Sequence, residues 1–359
     1  MEEKIISGIQ QIGIGITDLL EAWKWYFDVF GVDIRVFEDE TIAELMLPYT
    51  GGSPQKRHAA LAFNLQGGGG FEIWQYTGRT PQHAGFDILL GDYGIFAAKI
   101  KCRDIDATYD LYLSKQIDVL NRPHAGPDGT KRFFVRDLYG NHFQLVEGVH
   151  WYKDEKKLTG GTYGTIIGVS DIDESLKVYK DILEYDQVVY DEKGIFDDLK
   201  MLPGGDHRFR RVLLTHSKPR EGGFSPLLGD SKLELLEVKD RTPQKIYKNR
   251  YWGDPGFIHL CFDIRGMDAL RQECTEKGFG FKVDSHNRQN HNNSFDMGDA
   301  AGHFAYIEDP DGTLIEFVET HKVPVIKKLG WYIRLNKKDA HKPLPNWLIK
   351  ALSFNRVKF

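Results

Sequence analysis

This chain repeats itself, and the repetition restricts its fold more than any other feature. Arg79-Thr80-Pro81-Gln82 returns as Arg241-Thr242-Pro243-Gln244, 162 residues later, and Glu72 returns as Glu234 at the same spacing. Asp137, Gly140 and Gln144 return as Asp309, Gly312 and Glu316 at a spacing of 172. Self-similarity at a fixed period marks a supersecondary unit that buries its apolar face only against its own copies.

The unit itself is legible. Residues 9–18 alternate as a strand, Asp18 is placed to cap a helix over residues 19–30, and Gly31 is placed to end it. Strand-like runs follow at residues 41–47 and 58–65, then a Gly67 to Gly70 loop and a strand at 71–76. Without a following Gly-Lys-Ser/Thr, that loop reads as a hairpin and not as a phosphate cradle. The same order of strand, helix and three strands restarts near residues 95, 162 and 256. The expected division is four units at 6–82, 93–148, 161–244 and 255–320, followed by a tail at 321–359. Unequal offsets place a nine-residue insertion in the third unit, around Pro219 to Gly229, and a ten-residue insertion in the fourth, between Asp284 and His303.

The fourth unit is the most informative. At its start Ile258, Leu260, Phe262 and Ile264 take every second position, so His259 falls on the opposite face with Phe257, Cys261 and Asp263. Asp309-Pro310-Asp311-Gly312 has turn chemistry. The strand after it sets Ile315 and Phe317 on one face and Leu314, Glu316 and Val318 on the other. One imidazole and one carboxylate thus project from two separate strands, a common way to build a metal site on a sheet.

Composition narrows the class. With 359 residues, 41% hydrophobic and 28% charged, the chain has the length for more than one domain and contains no apolar run that would span a membrane. Its first residues lack the basic and apolar regions of a signal peptide, and the three cysteines, Cys102, Cys261 and Cys274, form no CxxC pair; both points predict a reduced, cytoplasmic compartment. The tail from His321 onward carries ten Lys and Arg against Asp339, a charge of +9 that leaves −14 for the first 320 residues. Its Trp347, Leu348, Ile349 and Leu352 favour a segment with a short helix docked on the acidic body over a nucleic-acid arm.

Tandem strand-helix-three-strand units, one of them closing on Glu308-Asp-Pro-Asp-Gly-Thr-Leu-Ile-Glu-Phe-Val-Glu319, resemble the vicinal oxygen chelate superfamily of glyoxalases, bleomycin resistance proteins and extradiol dioxygenases. The resemblance covers about 310 of the 359 residues. It implies an α+β fold in which four βαβββ modules pair into two curved, mixed-sheet half-barrels. It also implies ligands on the first and last strands of each unit. Those positions are Gln11 and Glu72, Ala97 and Gln144, Gly164 and Glu234, and His259 and Glu316.

How the units pair decides the site. Pairing of one with four gathers Gln11, Glu72, His259 and Glu316, which is similar to the glyoxalase I ligand set, and leaves Ala97, Gln144, Gly164 and Glu234 as a dead site. Pairing of neighbours would instead make Glu234, His259 and Glu316 the site. Three oxygen donors and one imidazole suit Zn, Fe(II), Mn, Ni or Co better than copper. The resemblance then implies a glyoxalase-like isomerase or lyase acting on a small oxygenated metabolite through metal-stabilised enediolate chemistry, with Glu316 or Glu72 moving the proton. An extradiol-type dioxygenase and a non-catalytic small-molecule binding protein are the alternatives. Expected partners are a small-molecule substrate and at most a second copy of the chain, with neither nucleic acid nor membrane. The polar run His286, Asn287, Arg288, Asn290, His291, Asn292 and Asn293 is a solvated loop or a lid, and His303 a strand residue or part of the site wall.

Overall fold

The computed structural model describes residues 3–286, 295–296, 301–326, 331–335 and 340–359. The first set of elements is β1 (Ile5–Ile16), α1 (Leu19–Phe30), β2 (Ile34–Ala43), β3 (Gln55–Phe63) and β4 (Gly70–Tyr76). The second is β5 (Gly94–Cys102), α2 (Ile105–Ser114), β6 (Asp118–Val119), β7 (His124–Ala125), β8 (Lys131–Arg136) and β9 (His142–Glu147). The third is β10 (Thr159–Gly168), α3 (Ile172–Tyr179), β11 (Gln187–Gly194), β12 (Phe209–Thr215), α4 (Ser225–Leu228) and β13 (Lys232–Val238). The fourth is β14 (Gly256–Arg265), α5 (Met267–Glu276), β15 (Val283–Asp284), β16 (Phe295–Asp296), β17 (Ala301–Glu308) and β18 (Leu314–Ile326). Strand β19 (Trp331–Arg334) and helix α6 (Asn346–Lys350) complete the chain.

These elements form two mixed sheets. In one the order is β15-β17-β18-β14-β1-β4-β3-β2, with β16 beside β17 and β19 beside β18. In the other it is β11-β12-β13-β10-β5-β9-β8-β6, with β7 beside β8. The first and last strands of each set run parallel, as β1 does with β4 and β14 with β18. Antiparallel seams then join β1 to β14 and β5 to β10. The fold is therefore α+β in tandem, and the first and fourth sets share a sheet.

Local chemistry explains the helices. The Asp18 side chain accepts from Glu21 N at 3.0 Å, and Gly31 closes α1 in the left-handed region at φ 68°. The helix buries Leu19, Ala22, Trp23, Tyr26, Val29 and Phe30 on one face, in a core cluster that spans both sheets. Tyr26 donates to Asp137 at 2.7 Å and Tyr179 donates to Asp309 at 2.8 Å, so each of these helices is tied to a turn of another set. The repeated Arg-Thr-Pro-Gln also finds its reason here. Arg79 and the Gln82 amide hold buried Asp254, and Arg241 and the Gln244 amide hold buried Asp92, in two equivalent clamps.

Three expectations change. The strand expected at 41–47 starts earlier, at Ile34, because buried Ile34 and Phe37 register it against β3, and Pro48 lies in a short turn at 47–49. The alternation read along 256–264 breaks at a bulge, since Gly13 faces His259 while Ile14 faces Phe257. Phe257 consequently joins the core with Leu260 and Phe262, and Ile258 moves to the cluster with Trp252 and Tyr306. Finally, β18 continues to Ile326 and pairs with β19, so the tail begins as an added strand. Beyond it lies the short helix α6, with Ile349 buried. Arg356 pairs with Asp33 and Glu155, and Phe359 packs edge-on against Trp23 and Phe27 at centroid distances of 5.6 and 5.4 Å.

Candidate metal centre

Four neighbouring strands, β18, β14, β1 and β4, carry Glu316, His259, Gln11 and Glu72. Gly13 on β1 faces His259 on one side and Glu72 on the other, which brings those side chains together over it. A Cβ at Gly13 would lie 2.3 Å from His259 Cε1, so only glycine leaves room for the ring. Trp252 lies parallel to the imidazole at 6.0 Å and Tyr306 meets it edge-on at 5.5 Å, which fixes its plane.

His259 Nε2 stands 3.1 Å from Glu316 Oε2 and 3.3 Å from Glu72 Oε2, and Gln11 Nε2 donates to Glu316 Oε2 at 3.3 Å. His259 is fully buried, Glu316 and Gln11 nearly so, and Glu72 is 13% exposed. Neither ring nitrogen of His259 makes a hydrogen bond despite these approaches, and Gln11 Oε1 is likewise buried without a partner. Buried polar atoms are rarely left so. Ligand atoms of Glu72, His259 and Glu316 all lie within 4.8 Å of one another. Electrostatics point the same way. Burial, and then the nearby Glu316 carboxylate, push the Glu72 carboxyl up to about 7. Burial disfavours a charged His259, yet Glu316 and Glu72 outweigh it and raise its pKa. Two carboxylates sharing a buried space need positive charge between them, whether a proton or a cation. The donor set fits a divalent ion, with Glu72, His259 and Glu316 as side-chain ligands and Gln11 Oε1 as an oxygen at hand.

The remaining positions lie in the other sheet and make no second centre. Ala97, Gln144, Gly164 and Glu234 occupy β5, β9, β10 and β13. Gly164 at φ 148° has the Lys232 carbonyl 1.7 Å from where a Cβ would stand, so no side chain can ligate from there. Lys99, two residues beyond Ala97, fills the space, with its ammonium bonded to both Gln144 Oε1 and Glu234 Oε2. Burial lowers the Lys99 pKa to about 8, against the pull of Glu234. Burial alone would raise the Glu234 pKa, but Arg211, Lys99 and Arg132 together hold it well below the carboxylate range. Here the protein supplies its own cation, and Glu234 lies in a different sheet from His259 and Glu316.

His303 lies within β17, where its Nε2 meets Asp284 Oδ1 at 2.6 Å, outside the cavity above the triad. Asn287, Arg288, Asn290, His291, Asn292 and Asn293 lie outside the described residues. Sequence reasoning missed Lys99, Trp252 and Tyr306. Lys99 had a signal, since it and Lys101 are cations in a strand otherwise made of Gly94, Ile95, Phe96, Ala97, Ala98, Ile100 and Cys102. Trp252 and Tyr306 had none, since an aromatic residue beside a strand reads as core.

Comparisons with known proteins agree with the architecture. The family model described as Glyoxalase/Bleomycin resistance protein/Dioxygenase superfamily matches residues 8–145 and 163–317. Among solved structures, the chain is similar to a Bacillus subtilis subsp. subtilis str. 168 protein that carries a provisional dioxygenase name, at 12% identity, with 99% of this chain and 98% of that one covered and a TM-score of 0.55. It is also similar to a point variant of glyoxalase I from Zea mays, at 16% identity, with 88% and 92% covered and a TM-score of 0.50. No curated protein matches in sequence. At such identities the likeness speaks for the fold alone.

Proposed function

Because the chain belongs to the Glyoxalase/Bleomycin resistance protein/Dioxygenase superfamily, we propose that it is a metal-dependent isomerase or lyase of the glyoxalase kind, acting on a small molecule with adjacent oxygens. The observation that carries this reading is the buried convergence of Glu72, His259 and Glu316, with the imidazole Nε2 facing both carboxylates and Nδ1 without a partner. A divalent ion bound there supplies Lewis acidity that polarises a carbonyl oxygen and stabilises the negative charge that gathers on it. His259, held between Gly13 and Trp252, orients the centre. Glu316 or Glu72 takes the proton from the hydroxyl-bearing carbon beside the carbonyl and returns it to the former carbonyl carbon, while the hydroxyl proton passes to the former carbonyl oxygen, which gives an isomer without any change in oxidation state overall. The cavity above, about 590 Å³ and mostly apolar in its lining, gives room for a small substrate beside the centre.

The donor set argues against a ring-cleaving dioxygenase, whose iron sites use two imidazoles and one carboxylate. Here the position of a second imidazole is held by Gln11. The test is solvent-proton exchange. In D2O, metal-loaded protein should move deuterium onto the carbon beside the carbonyl in members of a panel of 2-hydroxyketones, followed by proton NMR, and Glu316→Gln should abolish it. Oxygen uptake with catechols, with no exchange on any hydroxyketone, would overturn the proposal.

A further inference from the structure

The cavity above the triad has a second distinguishing feature, the origin of its walls. Its floor is Gln11, Glu72 and Glu316, and strands β3 and β4 of the first set contribute Leu61, Phe63 and Trp74. Phe224 and Leu228 close the opposite side, and both come from the nine-residue insertion of the third set, whose own sheet is the other one. Helix α4, formed by that insertion, crosses over to β1 and to the loop before β4. A Cβ at Gly8 would be 2.8 Å from Leu228 Cβ, and one at Gly68 would be 1.8 Å from the Leu227 carbonyl oxygen. The C-terminal tail adds Leu352. Phe224, Leu228 and Leu352 are 8%, 3% and 3% exposed, so they are fixed walls and not surface residues that happen to reach in.

The charge of the lining is equally informative. Among the described residues that line the cavity, Arg57 is the one Lys or Arg, and it is bonded to Asp39, which lines the cavity too. Asp39 and Glu44 stand on the same segment as exposed Ile42 and Leu45, two apolar side chains at the mouth. Among the described residues, a ligand bearing carboxylates on its body would therefore meet carboxylates and no free cation. An uncharged apolar body would meet walls of matching chemistry, where each methylene moved out of water is worth roughly 0.8 kcal/mol.

We propose that the site selects a ligand with two adjacent oxygens at one end and an uncharged, apolar body, aromatic or aliphatic, at the other, and that Phe224 and Leu228 are the residues that read this body. This rests on the metal-centre reading above and makes it more specific. Among the described lining residues no free cation would pair with a body that is a charged peptide or a phosphate.

Hydroxamates supply the two adjacent oxygens on bodies of chosen character, so they test the idea without the reaction. The protein is first titrated with Mn(II), and the affinities of the Mn(II)-loaded protein for acetohydroxamic, benzohydroxamic, 2-naphthohydroxamic and 4-carboxybenzohydroxamic acids are then measured by calorimetry. The naphthyl probe should bind at least about tenfold tighter than the acetyl probe, and the added carboxylate should weaken the phenyl probe by about tenfold. Phe224→Ala and Leu228→Ala should each weaken the naphthyl probe about tenfold and leave acetohydroxamate within about twofold, which also reports that the site is intact. Failure to take up Mn(II) would overturn the metal centre and this proposal with it. Uptake of Mn(II) with equal affinities across the four probes, or with the carboxylated probe tightest, would overturn this proposal alone, and the wild-type series decides that even if a variant does not fold.

Discussion

Replacing Gly13 by alanine probes the support of the centre without touching a ligand. The new Cβ would stand 2.3, 2.6 and 2.8 Å from His259 Cε1, Nδ1 and Nε2, whereas carbon contacts settle at about 3.5–4.0 Å. The ring must retreat by roughly an ångström, and it cannot do so freely, because Trp252 lies parallel to it and Tyr306 abuts its edge. Overpacking of this kind costs about 1–3 kcal/mol. Metal–ligand distances tolerate about 0.2 Å, so the same retreat should weaken metal binding by about 10–100-fold. Both effects can be measured, stability by urea unfolding of the metal-free protein and affinity by calorimetric titration with Mn(II) or Zn(II). A double-mutant cycle isolates the cause. With His259→Ala the obstruction is gone, and since Gly13 has no positive φ, Gly13→Ala should then be neutral or stabilising by about 0.4–1 kcal/mol. An equal loss of stability in both backgrounds would refute the claim that the imidazole occupies the space above Gly13.

Two further outcomes follow from the sheet that holds Lys99 and Glu234. Lys99→Ala removes the ammonium from two buried acceptors, Gln144 and Glu234, and should cost about 3–5 kcal/mol in urea unfolding without altering metal affinity. The Glu234 carboxyl, held below its ordinary value of 4.5, contributes stability that is present above that value and is lost as the pH falls below it. Melting profiles from pH 6 down to about pH 3 should therefore fall less steeply for Glu234→Gln than for the wild type.

Much of this was legible because the chain is written in copies. The cap at Asp18 and the stop at Gly31 are local chemistry, and α1 begins and ends where they place it. The spacing of Glu72 to Glu234 exposed equivalent positions in the copies, which the family resemblance turned into expected ligand positions, and the Arg-Thr-Pro-Gln repeat marked the two aspartate clamps without revealing what it clamped. What escaped depends on contacts between distant segments. The bulge that moves Ile258 off the Leu260 face leaves no trace in an alternating run. The insertion around Pro219 could be located by counting, but its destination over the other sheet is a matter of packing. The apolar neighbours of Lys99 signal its burial, but its partner Glu234 comes from another set and is visible only in the fold.

The central claim is that one divalent ion belongs between Glu72, His259 and Glu316 and none belongs beside Glu234. Protein purified without chelator and equilibrated with Mn(II) should hold one equivalent by metal analysis and electron paramagnetic resonance. His259→Ala and Glu316→Ala should each hold none, and Glu234→Gln should hold one. Full retention by the His259 variant, or loss by the Glu234 variant, would contradict the account.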